Sequence, residues 1–461
     1  MKNASLLKDN IDLLLKNSSK IRKFLNNLFD SQSMVETDMF LNGNSIIEGS
    51  TSLGEGVVTG YATINEIPVN FFADNCEVLK GSFGIQKSKK IINSLKRAKK
   101  SGTPFVGIID CSGFRINEDI EAMEGYSALI KELSVDTEIP LICIVKGKCL
   151  GLINILANMF DFVFVSSDCI SSINSPMKLA KGSEKYTELF GKSFNFKTGL
   201  ADFSYANEKD LKEQLYKLLM FTEDIDTDCN DDPNRTSLSL NKNINSENLF
   251  KSIFDNGEYC SYKNDFAPYV KCVLGRVNGF KCAAINLSSE KEYIDYKSLK
   301  KINAFVKVIN KFTIPMITFV DSKGLDTTLE EEESGIGDIC SELLNRISQS
   351  TMPKISVICN KAIGYAYSAF ASKGIGYDYV LAFCDSVISP INSEAAIYLY
   401  FEEEIKKNSN SDKIKEELIA KYNKTIANPF EKAKDGYIDN IIEPCALRPY
   451  IAQALLMILG V

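Results

Sequence analysis

The sequence predicts an α/β protein built from two copies of one unit, and three observations carry that prediction. Each half has a hydrophobic strand ending in Asp: Phe105, Val106, Gly107, Ile108, Ile109, Asp110, then Met316, Ile317, Thr318, Phe319, Val320, Asp321. About thirty residues later each half has a second strand that runs into a glycine turn: Pro140 to Val145 before Gly147 and Gly151, and Pro353 to Ile358 before Gly364. The offsets agree, 321 − 110 = 211 and 353 − 140 = 213. Strands alternating with helices of about 10–15 residues imply a mostly parallel sheet with helical crossovers.

The elements follow in order. Residues 1–30 read as an amphipathic helical segment, with Leu6, Leu7, Ile11, Leu14, Leu15, Ile21, Phe24, Leu25 and Leu28 on one buried stripe. Two strands joined by a turn at Asn65 and Glu66 follow. Gly81, Ser82, Phe83 and Gly84 open a helix over 87–100. The polar stretch 223–245, with Asp232, Pro233, Asn234 and Arg235, has the composition of a linker. The expected domains are therefore 31–222 and 246–461. The second copy restarts with a hairpin turning at Asn278 and Gly279 and a helix over 296–311. A charged helix over 412–427 and an apolar helix over 448–459 close the chain, the latter docking on a neighbour or a partner chain.

Composition excludes several functions. Of 461 residues, 45% are hydrophobic and 25% charged, as in ordinary globular proteins. The net charge of −7 argues against nucleic-acid and anionic-membrane partners. Lys87, Lys89 and Lys90, and Lys96, Arg97, Lys99 and Lys100, read as a solvated helix face ahead of a phosphate-binding patch. No apolar run reaches the about 18 residues of a membrane span, and charges interrupt the N-terminal segment, so it is no signal peptide. The 13 cysteines form no Cys-x-x-Cys pair, which fits a reducing cytoplasm and no thiolate zinc site. The chain has no histidine. That removes Ser-His-Asp and Cys-His nucleophiles, His-ligated metals and any imidazole base. Carboxylates, Lys, Tyr, backbone amides or a cofactor must do the work.

The glycine turns after buried strands are candidate oxygen-binding sites. A glycine lets backbone approach a ligand, and amides opening the next helix point outward. Two such amides make an oxyanion hole without a charged side chain. The competing reading is that βα turns need glycine for geometry alone.

The motifs resemble those of biotin-dependent acyl-CoA carboxyltransferases. Gly56, Val57, Val58, Thr59 and Gly60, then Lys80, Gly81, Ser82, Phe83 and Gly84, precede Asp110, Cys111, Ser112, Gly113, Phe114, Arg115, Ile116, Asn117 and Glu118. The last run is similar to the family's D-S-G-G-A-R-I-Q-E. Ile314 to Asp321 resembles I-P-L-V-T-F-V-D, Lys361 to Tyr367 resembles K-A-Y-G-G-A-Y, and Ser372 and Lys373 resemble S-S-K. Asp435 to Pro444, with Arg448, resembles the closing G-x-I-D-D-V-I-x-P and Arg. The likeness covers about residues 30–461.

The resemblance implies two tandem crotonase-like (ββα superhelix) domains. Acyl-CoA would bind the N-terminal domain, and carboxybiotin on a separate carrier protein the C-terminal one. Amides at Gly151 and Leu152 would hold the thioester enolate, and amides of Gly364, Tyr365 and Ala366 the biotin ureido oxygen. Lys80, Gly81, Ser82, Gly113, Arg115, Gly324 and Lys373 would bind coenzyme A or biotin, and no metal is implied. Implied partners are a biotin carboxyl carrier protein, a biotin carboxylase or a membrane decarboxylase subunit, and further copies in a hexamer, a trimer of dimers. The chain lacks a Met-Lys-Met biotinylation site, so carrier and carboxylase are expected on other chains. A decarboxylase α-type subunit is one alternative. A non-catalytic paralogue is another, and a hydratase or isomerase on the same fold is a third.

Departures from the family pattern concentrate in the first half. C-A-G-G-A becomes Cys149, Leu150, Gly151, Leu152, Ile153, and Phe114 replaces a family alanine. In the second half Tyr365 replaces a glycine, and it either lines the biotin pocket or packs. Glu330, Glu331, Glu332 and Glu333 read as a solvated run rather than a metal site. Asp110 and Asp321 read as caps of the following turns. Cys149 reads as a small buried residue.

Overall fold

The parallel strands are nearly continuous runs of β-branched and aromatic residues, as strands covered on both faces must be. The computed structural model describes residues 2–42, 53–181, 186–222, 229, 231–287, 291–407 and 412–460. It divides into two units, Met1–Leu219 and Met220–Val461.

Among the described residues the first unit holds eight strands: β1 (Val35–Thr37), β2 (Val57–Ile64), β3 (Ile67–Asp74), β4 (Phe105–Cys111), β5 (Leu141–Leu150), β6 (Phe162–Ser166), β7 (Ile170–Ser172) and β8 (Phe203–Tyr205). Their order is β1-β2-β3-β4-β5-β6-β8, with β7 beside the end of β5. The β1-β2-β3 meander is antiparallel and every later pairing is parallel. The second unit repeats this with β9 (Tyr259–Tyr262), β10 (Val270–Val277), β11 (Phe280–Leu287), β12 (Met316–Ser322), β13 (Lys354–Ile363), β14 (Tyr379–Phe383), β15 (Val387–Ser389) and β16 (Asn440–Ile442). Its order is β9-β10-β11-β12-β13-β14-β16, with β15 beside β13.

The copies match in register. β4 and β12 are buried at every position but Asp110 and Asp321. The β4–β5 register shifts before Cys111 meets Cys149, and the β12–β13 register shifts before Ser322 meets Ala362. These are the sequence offsets again, 322 − 111 = 211 and 362 − 149 = 213.

Helix α1 (Lys2–Lys16) and helix α2 (Ser19–Leu28) replace the single N-terminal stripe expected from the sequence. The chain breaks at Asn17 and Ser18, where Ser18 Oγ donates to Leu14 O at 2.6 Å. Leu14, Ile21, Phe24, Leu25 and Leu28 are buried, whereas Leu6, Leu7 and Leu15 stay exposed. Just beyond, the Asp30 carboxylate accepts from the amides of Asn65 (3.1 Å) and Glu66 (2.8 Å) and pairs with Lys212 at 2.6 Å. It pins a hairpin turn whose two central residues both have positive φ, 46° and 70°.

Helix α3 (Ile85–Ser101) packs on helix α4 (Asp119–Leu133), and their second-unit counterparts Tyr296–Lys311 and Ile336–Gln349 pack likewise. The core of the first unit lies between these helices and the sheet, around Phe72, Leu95, Phe105, Leu129, Cys143 and Leu156.

The expected solvated lysine face is overturned in part. Lys87 and Lys90 are buried, while Lys89, Lys96 and Lys100 are exposed. Lys87 Nζ sits 2.7 Å from the buried Asp74 carboxylate. Lys90 Nζ donates to Val57 O at 2.7 Å and Gly54 O at 3.2 Å. Lys301 repeats this, donating to Val270 O at 2.7 Å and Ala267 O at 3.3 Å. Burial pulls both ammonium groups down to about 8.

Residues 231–235 belong to the second unit rather than hanging free. Arg235 grips Asp231 through two nitrogens at 3.0 and 2.9 Å. Arg448 is 1% exposed and reaches Asp255 at 2.7 Å, Asp231 at 3.5 Å and Asp232 O at 3.0 Å. Its helix, Leu447–Leu459, buries Leu447, Ile451, Ala452 and Leu455 in this unit's own core, leaving Met457 exposed.

Candidate functional site

Each unit carries one amide-bearing turn at the C-terminal end of its sheet. In the first, β5 ends at Leu150 and Gly151 opens helix α5 (Leu152–Ala157) with φ 66° and ψ −139°. In the second, β13 ends at Ile363 and Gly364 opens the helix Tyr365–Phe370 with φ 54° and ψ −117°. Glycine is required there because both values lie in territory closed to a Cβ. Gly113, with φ 115°, and Gly324, with φ 106°, end the neighbouring strands. A Cβ on Gly113 or Gly151 would have no atom within 4 Å, so open space adjoins both.

The structure redistributes the amides. The Gly151 N–H donates to Ser172 O and the Gly364 N–H to Ser389 O, both at 3.0 Å. Those two amides hold β7 and β15 in place and are not free for an oxyanion. The amides opening the two helices, of Leu152 and Ile153 and of Tyr365 and Ala366, have no acceptor among the described residues. They are the donors a bound oxygen can use.

The bulk that replaced family glycine and alanine packs inward. Leu152 and Phe114 both lie against the first core. Phe114 meets Tyr126 and Phe83 edge-on, at ring distances of 5.5 and 5.6 Å. Tyr126 Oη donates to Leu152 O at 2.9 Å. Tyr365 packs edge-on against Phe370, and its hydroxyl donates to Cys340 O at 3.1 Å. Of the two readings left open for Tyr365, the structure supports packing.

Other expected ligand residues are employed within the fold. Arg115 is 5% exposed and bound to Glu55 and Glu118, with Glu118 Oε1 at 2.9 Å and Glu55 O at 2.9 Å. Glu118 also accepts from the Ile85 amide at 2.7 Å, capping α3. Arg115 therefore ties a loop to a helix start, and its charge is spent before a ligand arrives. Lys373 bonds Asp439 at 2.7 Å and Gly436 O at 3.0 Å, fastening the chain's closing motif. Gly324 is buried, and a Cβ there would press Ile363 O at 3.2 Å. Lys80 is exposed, within three successive left-handed residues, Leu79, Lys80 and Gly81, and Ser82 is half-buried beside it. Of the seven expected binding residues, Lys80 presents a cation to solvent at the edge of this turn.

Asp110 braces the neighbouring strand instead of capping the turn that follows, and Asp321 braces the equivalent strand of the second unit. Asp110 Oδ1 accepts from the Lys148 amide at 3.0 Å, and Asp321 Oδ1 from that of Lys361 at 3.3 Å. The four glutamates form the short helix Leu329–Glu333, and Glu331 accepts from the Tyr296 amide at 2.6 Å. Among the described residues no group of His, Cys, Asp or Glu could hold a metal. Cys149 is fully buried, and burial holds its thiol well above the ordinary value. Sequence reasoning missed Tyr126 and the buried lysines. Only the lysines left a signal, since 301 − 90 = 211 is the duplication offset.

Two mostly parallel sheets of matching strand order, each with an amide-bearing turn, make a tandem fold of the crotonase-like kind. The carboxyl transferase domain family matches residues 16–459, and the chain belongs to that family. It is 32% identical to the methylmalonyl-CoA decarboxylase subunit alpha of Veillonella parvula, over 95% of this chain and 89% of that protein. It is 28% identical to the methylmalonyl-CoA carboxyltransferase 12S subunit of Propionibacterium freudenreichii subsp. shermanii, over 95% of this chain and 88% of that protein. A crystal structure of transcarboxylase 12S with methylmalonyl-CoA and methylmalonic acid bound superposes with a TM-score of 0.92 at 26% identity, covering 99% of this chain and 95% of that one.

Proposed function

We propose that this chain is the carboxyltransferase subunit of a biotin-dependent enzyme, moving a carboxyl group between biotin on a carrier protein and the α-carbon of a short acyl-CoA. The observation that carries the reading is the repeated turn, with helix-opening amides left unpartnered in each copy of a chain without histidine. The residues of the first turn fit an acyl thioester, because open space adjoins Gly113 and Gly151 and the outward amides are uncharged donors. The first turn, at Leu152 and Ile153, holds the thioester oxygen as negative charge builds on it when the carboxyl group leaves or arrives. The second, at Tyr365 and Ala366, orients the ureido oxygen. Biotin, when bound, supplies the carboxyl carrier and the base that the side chains lack.

The relative named as a decarboxylase subunit favours the decarboxylating direction, with a membrane decarboxylase subunit as partner; a biotin carboxylase is the partner in the opposite direction. Assembly as a hexamer, a trimer of dimers, belongs to the same reading, as does a cytoplasmic location. Among the described residues no helix is long and apolar enough to cross a membrane. The inward packing of Leu152 and Phe114 speaks against a non-catalytic paralogue, since the added bulk does not fill the space beside Gly151.

The test is incubation of the purified chain with free biotin and methylmalonyl-CoA. Biotin-dependent loss of the substrate carboxyl group is expected. No transfer or decarboxylation with methylmalonyl-CoA or malonyl-CoA would overturn the reading.

A further inference from the structure

We propose that Tyr126 and Tyr365 are positioning residues that lock the two amide-bearing turns, each by one phenol hydrogen bond to the helix beside it. The inference rests on the carboxyltransferase reading above. In the first unit the bond runs from a side chain on α4 to the backbone that opens α5, Tyr126 Oη to Leu152 O at 2.9 Å. In the second it runs from the residue opening the helix Tyr365–Phe370 to the backbone of Ile336–Gln349, Tyr365 Oη to Cys340 O at 3.1 Å. The two helices occupy equivalent places, each leading into the strand that carries the turn. The tether is thus the same, with donor and acceptor exchanged.

Short helices need it. α5 and Tyr365–Phe370 have six residues each, too few to be stable by their own hydrogen bonds. An oxyanion hole works only if its donors are fixed before charge develops. Tyr126 adds an electronic effect: the Leu152 carbonyl and the Ile153 N–H belong to one peptide group. A hydrogen bond accepted at that oxygen polarises the group and makes the outward N–H a stronger donor. Aromatic packing fixes the phenols. Tyr126 meets Phe83 and Phe114 edge-on at 6.1 and 5.5 Å, and Tyr365 meets Phe370 at 6.2 Å. The family glycine replaced at 365 therefore returns as an anchor.

Tyr126→Phe and Tyr365→Phe keep the rings and remove the hydroxyls. Both are assayed as full chains with free biotin and methylmalonyl-CoA, alongside binding of propionyl-CoA and of a nitronate analogue of its enolate. Tyr126→Phe should lower kcat about tenfold with KM unchanged, less than the loss of a direct oxyanion donor. It should weaken nitronate binding by about the same factor while propionyl-CoA binds as before. Tyr365→Phe should lower kcat about tenfold and leave nitronate affinity untouched. Unchanged kcat in both variants overturns the proposal. So does a parallel loss of propionyl-CoA and nitronate binding, which marks mere loosening of the fold. If the wild type transfers nothing, the carboxyltransferase reading falls, and nitronate affinity lost in Tyr126→Phe but kept in Tyr365→Phe still reports the tether.

Discussion

Lys90 and Lys301 show what a single residue does in both copies. Each places its ammonium group where the first hairpin strand begins, and among the described residues each hydrogen-bonds to backbone carbonyls. Burial favours the neutral form, so the folded value of about 8 lies below the ordinary 10.5. The unfolded chain then binds more protons between pH 8 and 10.5, and stability from this source rises with pH across that window. Buried thiols work against it above pH 9, since Cys111 is pushed up to about 11 and Cys272 to about 12 by burial. The comparison of wild type with Lys90→Met cancels the thiols, since the charged groups acting on Lys90 are Glu36, Asp38, Glu55 and Arg22. Between pH 7 and 9.5 the wild type should gain up to about 2 kcal/mol relative to the variant in urea unfolding. An identical pH dependence in the two proteins would remove the neutral buried lysine. The sequence hid this role because a lysine among lysines on an amphipathic helix reads as solvated; only the repeated offset distinguishes it.

Elements explain why the turns sit where they do. The strand–turn–helix units, the two hairpins and the helix over 296–311 were legible in the sequence, because period and turn chemistry are local. The N-terminal break at Ser18 was not, since apolar spacing runs across it and only a side chain bonding back to Leu14 O ends the helix. The turn at Leu79, Lys80 and Gly81 illustrates the same limit. Its glycine looks like a flexible ligand loop but is required by a backbone contact. A Cβ on Gly81 would lie 2.2 Å from Asp110 O, at φ 66°. Gly102 has nearly the same φ, 67°, with nothing within 4 Å. Gly102→Ala should therefore cost about 1 kcal/mol, the left-handed penalty alone. Gly81→Ala should cost upwards of about 3 kcal/mol, because strand and turn must separate. Equal melting shifts for the two would contradict the contact. Arg115, assigned to ligand binding from its motif, offers a further separation. Arg115→Met withdraws the ion-pair partner of the fully buried Glu55 and should cost about 3 kcal/mol. KM for the acyl-CoA should move less than about threefold, since no charge is withdrawn from the ligand.

At the scale of the whole molecule, duplication made the fold readable and concealed part of the site. Two copies with one offset predicted two sheets, and the register shifts reproduce the offsets of 211 and 213. Which amide of each glycine turn is free depends on β7 and β15, which are three residues long and carry no periodic signal. The acidic stretch read as linker hid a similar long-range partner. Asp231 and Asp255 lie 217 and 193 residues before Arg448, the side chain that joins them, counting 448 − 231 and 448 − 255. Loops fastened by one buried cation should fail together when it is removed. Arg448→Met takes the cation from Asp255 and leaves Asp231 with Arg235 alone, at a cost of about 3 kcal/mol. Hydrogen exchange should accelerate in peptides covering 231–256 and 447–455, because the Asp232 and Ile253 carbonyls lose their donor. Peptides of β4 and β5 in the first unit provide the internal reference and should exchange as before. Acceleration in β4 and β5 equal to that in 231–256 would show that Arg448 supports the chain as a whole rather than one unit's closing clasp.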